Sequence, residues 1–151
     1  MNWYKLCHKS NQNIIVIYDF DDTIACGTND LQRFLNVGQN KPCVWLERFL
    51  KDYQKYGNNL YIMTARMHKT MGDCKVVIRE FLRDFGIDFP ESHIICTGFL
   101  PSAQGCKSRE IRKILDTQEV SRLVFIDDNS DNREAIGELS EEYPHVDFTV
   151  V

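Results

Sequence analysis

Two apolar segments of this 151-residue chain end abruptly in clusters of aspartate. The first cluster places Asp19, Asp21 and Asp22 within four residues. The second begins with Asp127 and Asp128. Carboxylates held close together raise one another's pKa unless a cation offsets their repulsion. Oxygen ligands of this kind suit a hard divalent ion, Mg²⁺ above all, so the two clusters indicate a cation-dependent site if the fold brings them together.

The first cluster lies where an apolar strand is expected to end. Because side chains alternate along a strand, we expect Asp19 and Asp21 to project to one side while Phe20 faces the other. Their Cα atoms would then be about 6 to 7 Å apart, which allows the two carboxylates to share a cation. An Asp-rich helix N-cap is an alternative that explains Asp128 or Asp131 well, but it explains Asp19 with Asp21 poorly.

The elements that must position these residues alternate along the chain. Five short apolar, β-branched segments predict strands, and segments with helical periodicity separate them. This alternation predicts an α/β fold made of parallel βαβ units, namely a three-layer, doubly wound domain with a five-stranded, mainly parallel sheet of Rossmann-like type. In such sheets ligands bind beyond the carboxyl ends of the strands, so the two acidic clusters would form one site. The predicted strands are 14–18, 60–63, 93–96, 123–126 and 146–150.

Length and composition fit one globular domain that spans residues 1–151. The chain is 43% hydrophobic and 26% charged, and its net charge of −4 argues against a general nucleic-acid coat protein. No apolar run reaches the roughly eighteen residues of a membrane span, and no signal segment is recognised. The six cysteines show no C-x-x-C pair or zinc-site spacing. We therefore expect a soluble cytoplasmic protein with reduced thiols.

Four short motifs give the chain a resemblance to the haloacid dehalogenase superfamily. They follow one another in the order typical of that family, each at the end of a predicted strand or near the start of a predicted helix, and they span residues 14 to 132. One position departs from the family pattern, because Asp22 stands where Gly is frequent, and this affects the local turn. The motif residues are, in order, Asp19-x-Asp21-x-Thr23, Thr64, Lys107 (expected to open a helix after Gly105) and Asp127-Asp128-x-x-x-Asn132.

The resemblance implies an Mg²⁺-dependent phosphatase in which Asp19 is transiently phosphorylated by a phosphomonoester. Asp21 would protonate the leaving oxygen and later deprotonate the attacking water. Thr64 and Lys107 would bind the phosphate and stabilise the charge of the transition state. Arg66 follows Thr64 closely and would either contact the substrate or form a structural ion pair.

The resemblance also implies a set of metal ligands. Mg²⁺ would be held by Asp19, the backbone carbonyl of Asp21 and Asp128, and Asp127 would support them. We expect Asn132 to act mainly as a scaffold that orients Asp127 or Lys107, beside the phosphate site.

The gaps between the motifs leave no room for a sizeable cap domain over the site. Residues 24–59 must hold a loop (25–41) and a helix, and residues 65–106 must hold a helix, a strand and a second loop (97–105). An open site resembles family members that act on large substrates, such as polynucleotide ends or phosphoproteins. A local group of cations could steer a polyanion. For the cations at 109, 112 and 113, the preferred explanation is that they form the solvent-exposed face of an amphipathic helix. The whole group consists of Arg66, His68, Lys69, Lys107, Arg109, Arg112 and Lys113.

Several alternatives stay open. A phosphatase for small molecules or nucleotides, or a phosphotransferase, would carry the same motifs, and a catalytically silent relative would keep the fold for binding. A response-regulator receiver is set aside, because the third predicted strand ends without a carboxylate in Ile94-Ile-Cys-Thr-Gly98.

Overall fold

The computed structural model describes residues 13–98 and 103–151, with side chains from residue 107 onward in the second range. Sequence features at residues 1–12, and the part of the predicted loop 97–105 that falls at 99–102, lie outside this description. In the described part of the chain, no helix is long and apolar enough to cross a membrane.

One five-stranded sheet forms the centre of the fold, and every neighbouring pair of its strands is parallel. The strands are β1 (Ile14–Tyr18), β4 (Leu60–Thr64), β5 (Ile94–Cys96), β6 (Arg122–Ile126) and β7 (Asp147–Val150). Their order is β5-β4-β1-β6-β7. The chain therefore winds outward from β1 in one direction, returns to its other side at β6 and continues outward to β7. The predicted α/β, doubly wound, parallel fold is confirmed.

Five α-helices, a small second sheet and three short 3-10 helices (Gly57–Asn59, Glu91–His93 and Leu139–Glu141) complete the described elements. The α-helices are α1 (Asp30–Leu35), α2 (Leu46–Tyr56), α3 (Cys74–Arg83), α4 (Ala103–Thr117) and α5 (Ser130–Glu138). The second sheet is an antiparallel pair of two-residue strands, β2 (Ala25–Cys26) and β3 (Lys41–Pro42).

The helices cover both faces of the large sheet, as the alternating pattern of β1 requires. Ile15 and Ile17 pack into a core with α4 and α5, whereas Val16 and Tyr18 pack into a core with α2 and α3. Both faces of a parallel sheet are thereby buried, which explains why β1 is apolar throughout. The Tyr18 hydroxyl is satisfied by donating a 2.6 Å hydrogen bond to Asp52 of α2.

Two sequence expectations about boundaries need correction. The third-motif helix begins at Ala103, so Gly105 lies inside it and Lys107 does not open it. A single Gly costs a helix only about 1 kcal/mol, so it does not have to end one. The segment 25–41 is also more ordered than a loop, because it contains β2, α1 and the first residue of β3. The apolar residues Leu31, Phe34 and Leu35 have the spacing of a short helix, but two-residue strands are too short to produce a pattern.

A tight contact joins the end of α1 to the loop that follows β4. Asn36 caps α1 in the left-handed conformation (φ 53°), and its Nδ2 donates to the carbonyl oxygens of Met67 (2.9 Å) and Gly72 (3.3 Å). The backbone N–H of Gly72 donates in turn to the carbonyl of Leu35 at 2.8 Å. A Cβ atom at residue 72 would lie 2.2 Å from the backbone oxygen of Asn36, so the contact requires glycine.

We expect Gly72→Ala to destabilise the protein by about 1 to 3 kcal/mol, because the added methyl group forces two backbone segments apart. Thermal and urea denaturation measure the change. Gly137→Ala is the matched control, since its Cβ meets no atom within 4 Å and it lies in α5. This control should be neutral or stabilising by up to about 1 kcal/mol. Equal stability of the two variants would contradict the assignment of this contact.

Candidate functional site

An open pocket of about 380 Å³ lies beyond the carboxyl ends of β1, β4 and β6. This is the edge at which the winding of the sheet reverses, where ligand sites of α/β proteins form. All eight predicted site residues line it, namely Asp19, Asp21, Thr64, Arg66, Lys107, Asp127, Asp128 and Asn132. The structure therefore brings together residues that are separated by up to 113 positions in the sequence, from 19 to 132.

The ends of β1 and β6 place the two acidic clusters side by side. Asp19 follows β1 and its N–H donates to the carbonyl of Ile126, the last residue of β6, at 2.8 Å. The Phe20 carbonyl then accepts three backbone N–H groups, from residues 23, 24 and 25. The chain therefore turns away from the sheet directly after Asp19, which leaves this carboxylate at the base of the pocket.

Lys107 lies at the centre of the site and is only 1% exposed. Its ammonium donates to Asp19 Oδ1 at 2.9 Å and to Asp127 Oδ2 at 2.7 Å. Burial by itself lowers the pKa of Lys107, but the two carboxylates outweigh it and hold that pKa above its ordinary value. Lys107 is therefore a fixed positive charge between the two strand ends.

Asp127 accepts three hydrogen bonds within this framework. Its Oδ2 accepts from Lys107 and from the side-chain amide of Asn132 at 3.0 Å, and its Oδ1 accepts the backbone N–H of Asn129 at 2.9 Å. A carboxylate has about four lone-pair sites, so most of its acceptor capacity is used. Asn132 makes the contact with Asp127 that its predicted scaffold role needs, and the supporting role of Asp127 at a metal site stays a prediction.

Three carboxylates lie close together at the two strand ends. Asp19, Asp127 and Asp128 each offer an oxygen, and these oxygens lie within 4.8 Å of one another. Burial raises the pKa of Asp19 well above its ordinary value, and Asp127 and Asp128 add to the effect while Lys107 opposes it. Burial and the neighbouring Asp127 also raise the pKa of Asp128. An all-oxygen donor set with excess negative charge fits a hard divalent cation such as Mg²⁺.

Thr23 links the two acidic strand ends. Its hydroxyl donates to Asp19 Oδ2 at 3.2 Å and accepts the backbone N–H of Asp128 at 3.2 Å. The side chain is completely buried. The first motif contains Thr23, but no local pattern predicts this contact across 105 positions.

Asp21 has different partners from those that strand alternation suggested. Arg66 binds its carboxylate through two hydrogen bonds, from Nε (2.9 Å) and Nη2 (2.8 Å), and Arg66 itself is 1% exposed. The Asp21 carboxylate is not part of the group formed by Asp19 and its neighbours, so the expectation that the two carboxylates share a cation needs correction. The turn at Phe20 ends the strand before its alternation can reach residue 21. Metal binding through the backbone carbonyl of Asp21 stays a prediction.

Thr64 ends β4 at the wall of the pocket and is 1% exposed. Its hydroxyl oxygen accepts the backbone N–H of Arg66 at 3.2 Å, and its carbonyl accepts the N–H of Thr97 at 2.8 Å. The turn after β4 is thereby held in place, and it carries both Thr64 and Arg66 to the site.

Arg33 and Asp22 also line the pocket, and the sequence had not suggested Arg33. Arg33 lies in α1 and donates two hydrogen bonds to the Asp22 carboxylate, at 3.1 and 2.9 Å. Asp22 adopts a positive φ of 62°, the conformation for which Gly is favoured. Asp22 stands where Gly is frequent in the family that the chain resembles, and here its partner is Arg33, eleven residues away. No local sequence pattern predicts this pairing.

Six of the seven cations considered for steering a polyanion lie within ion-pair distance of carboxylates. Arg66 and Lys107 are buried in the ion pairs described above, and His68 and Lys69 lie within 4.0 Å of Asp73. On α4, Arg112 is paired with Glu142 and Lys113 with Glu110. These contacts favour the explanation that the α4 cations form the wet face of an amphipathic helix.

Comparison with known proteins identifies the fold and nothing further. No protein-family model and no curated protein matches the chain. Among solved structures, the chain is similar to a structure of DsGPDH of Dunaliella salina, with a TM-score of 0.56 and 13% sequence identity. The match covers 98% of this chain and 25% of that chain, so this chain spans about a quarter of its length. At this identity the similarity shows a common α/β fold alone.

We expect Mg²⁺ to stabilise the protein more at about pH 7.5 than at about pH 5, because protons and cations compete for Asp19 and Asp128. Folding raises both pKa values, so the cation-free protein loses stability as the pH rises from their ordinary value of 3.8 toward the raised ones. Bound Mg²⁺ should offset this loss. Melting temperatures with Mg²⁺ or EDTA across this pH range measure the effect.

Asp128→Asn should lower the Mg²⁺ affinity at least about tenfold in isothermal titration calorimetry. Asp88→Asn is the matched control, because this aspartate is 84% exposed, is paired with Arg79 and lies outside the pocket. Unchanged affinity in Asp128→Asn, or equal loss in both variants, would contradict the proposed cation site.

Proposed function

We propose that this protein is an Mg²⁺-dependent phosphatase that hydrolyses phosphomonoesters through an aspartyl-phosphate on Asp19. The observation that carries the proposal is the arrangement of Asp19, Lys107 and Asp128 in one open pocket. It combines an oriented carboxylate, a buried ammonium and an oxygen cluster suited to a cation. These are the groups that phosphoryl transfer to a carboxylate requires, because both the nucleophile and the substrate are anionic.

Asp19 is held in a suitable orientation for attack. Lys107 contacts its Oδ1 and Thr23 contacts its Oδ2, so the carboxylate is fixed at the base of the pocket. In the first step a carboxylate oxygen bonds to phosphorus, the bond from phosphorus to the leaving oxygen breaks, and that oxygen takes a proton from Asp21. In the second step water attacks phosphorus, Asp21 accepts a proton, and inorganic phosphate leaves as Asp19 is restored.

Thr64 and Lys107 account for binding of the phosphate. The Thr64 hydroxyl oxygen accepts the Arg66 N–H, so its proton can be donated to a phosphate oxygen. The Lys107 ammonium borders the same pocket and stabilises negative charge on the phosphoryl oxygens. Both groups are already held by the fold, so little reorganisation accompanies binding.

Asp19 and Asp128 would hold Mg²⁺, with Asp127 in support and the backbone carbonyl of Asp21 as a further ligand. When bound, the ion supplies positive charge that offsets the repulsion between the anionic substrate and the carboxylates. Arg66 acts in this proposal by orienting the Asp21 carboxylate, which its two hydrogen bonds support better than a direct contact with substrate.

The open pocket supports a large phosphorylated substrate. In the described ranges 24–59 and 65–98, the segments that could carry a cap contain only short helices and strands of the main fold and the β2–β3 pair. Of the two classes considered, the pairing of the nearby cations favours a phosphoprotein over a polynucleotide end, since binding of a polynucleotide relies on cations that neutralise several phosphates. The four described cysteines at 26, 43, 74 and 96 are free thiols, which supports a reducing compartment such as the cytoplasm.

The test of the reaction is hydrolysis of p-nitrophenyl phosphate with Mg²⁺. We expect turnover that EDTA abolishes, loss of activity to background in Asp19→Asn, and a decrease of at least about 100-fold in the kcat of Asp21→Asn, because every phosphomonoester needs Asp21 as the base of the second step. Asp88→Asn should behave as the unaltered protein. Activity that survives in Asp19→Asn would exclude the aspartyl-phosphate, and methyl phosphate formation in added methanol would identify a phosphotransferase activity.

The substrate class is tested by comparing a phosphoserine peptide with oligonucleotides phosphorylated at the 5′ or 3′ end. We expect the peptide to be preferred in kcat/KM and the preference to change little between low and high salt. A preferred oligonucleotide whose kcat/KM falls steeply with salt would instead identify a polynucleotide end as the substrate.

A further inference from the structure

We propose that Arg33 is a positioning residue for Asp21 and that it acts through Asp22. This inference rests on the proposed function, in which Asp21 transfers protons. It assigns a role to α1, a six-residue helix that the family motifs do not include.

The Arg33 side chain is 17% exposed and lies at the junction of two acidic side chains. Its Nη1 and Nη2 donate to the two oxygens of Asp22, and its Nε donates to Thr28 Oγ1 at 3.1 Å. The same Nε lies 3.5 Å from Asp21 Oδ1. Asp21 is thus bordered by two guanidinium groups, because Arg66 approaches it from the turn after β4.

Asp22 connects Arg33 to Asp21 through the backbone. It follows Asp21 directly, and its positive φ of 62° is a conformation that non-glycine residues adopt at a cost. Two charge-assisted hydrogen bonds to Arg33 offset that cost and keep residue 22 in place. Asp22 also donates its N–H to the carbonyl of Ala25 at 2.7 Å, so the turn around Asp21 is fixed on both sides.

The helix that carries Arg33 is itself anchored at both ends. At its start, Asn29 and Gln32 form a reciprocal capping box. At its end, Asn36 is bound to the loop 67–72, as described above. The position of Arg33 therefore does not depend on the turn that contains Asp21 and Asp22. Arg33 can thus position Asp21 rather than be positioned by it.

Proton transfer gives this contact its functional importance. A general acid must lie within about 2.6 to 3.2 Å of the oxygen that it protonates, so a small shift of Asp21 impairs the step. The loss should be greatest for substrates with a basic leaving oxygen, which needs the proton. An aryl phosphate such as p-nitrophenyl phosphate has a good leaving group and depends little on it.

The experiment measures kcat/KM of the full chain with Mg²⁺ for p-nitrophenyl phosphate and for an alkyl phosphomonoester, phosphoserine. We expect Arg33→Met to lower the alkyl value about tenfold and the aryl value far less. Arg112→Met is the matched control, since Arg112 also binds a carboxylate through two hydrogen bonds but lies outside the pocket. It should leave both values unchanged.

Asp22→Gly provides a second variant that relieves the positive φ while removing the partner of Arg33. If Arg33 acts through Asp22, this variant should show the same selective loss, and Arg33→Met combined with Asp22→Gly should be no worse than either change alone. Melting temperatures show whether each variant is folded at the assay temperature.

The outcomes separate this inference from the proposed function. An unaltered protein that hydrolyses both esters, with Arg33→Met losing both equally or neither, overturns the positioning role and leaves the phosphatase proposal intact. Additive losses in the double variant overturn the route through Asp22. An unaltered protein without Mg²⁺-dependent hydrolysis overturns the proposed function, and the role of Arg33 falls with it.

Discussion

The buried ammonium of Lys107 is the constraint on which the site depends. A charge that is removed from water must be paired, and here the partners are Asp19 at the end of β1 and Asp127 after β6. The requirement acts in both directions, because the two carboxylates would repel each other without the ammonium. One side chain from α4 therefore fixes the relative position of two neighbouring strand ends, and Asn132 completes the framework from α5.

Charge balance explains why the pocket is suited to a cation. Among the residues whose side chains the structure describes, six carboxylates and three permanently cationic side chains line it. Two of these, Arg33 and Arg66, are engaged with Asp21 and Asp22, so they leave the excess negative charge around Asp19 and Asp128 uncompensated. In the proposed function, a divalent ion would reconcile the acidic character of the site with the binding of an anionic ester. Burial raises the pKa values of Asp19 and Asp128, and the neighbouring Asp127 adds to the effect.

The sequence predicted the fold and the convergence of the candidate site residues for a shared reason. Apolar runs that end in Asp19, Thr64 or Asp127 are visible locally, and the parallel sheet makes their ends meet. The contacts of Asp21 were not predictable in this way, because they depend on a turn that ends strand alternation and on arginines from other elements. Arg33 carried no signal, since its partner is chosen by the packing of α1. The spacing of apolar residues indicates which side of an element is buried, whereas an ion pair between distant segments produces no regular spacing in the sequence.

The central position of β1 in the sheet affects which parts of the molecule can unfold locally. Its backbone is hydrogen-bonded to β4 on one side and to β6 on the other, so its amides are expected to exchange only when the whole fold is lost. The short helix α1 contains no buried residue, and such segments have a low cost of local unfolding. The pocket is thus built from a rigid floor and a wall of lower local stability, which the contacts at the two ends of α1 hold in place. Local unfolding of that wall would widen the pocket while the floor keeps its shape.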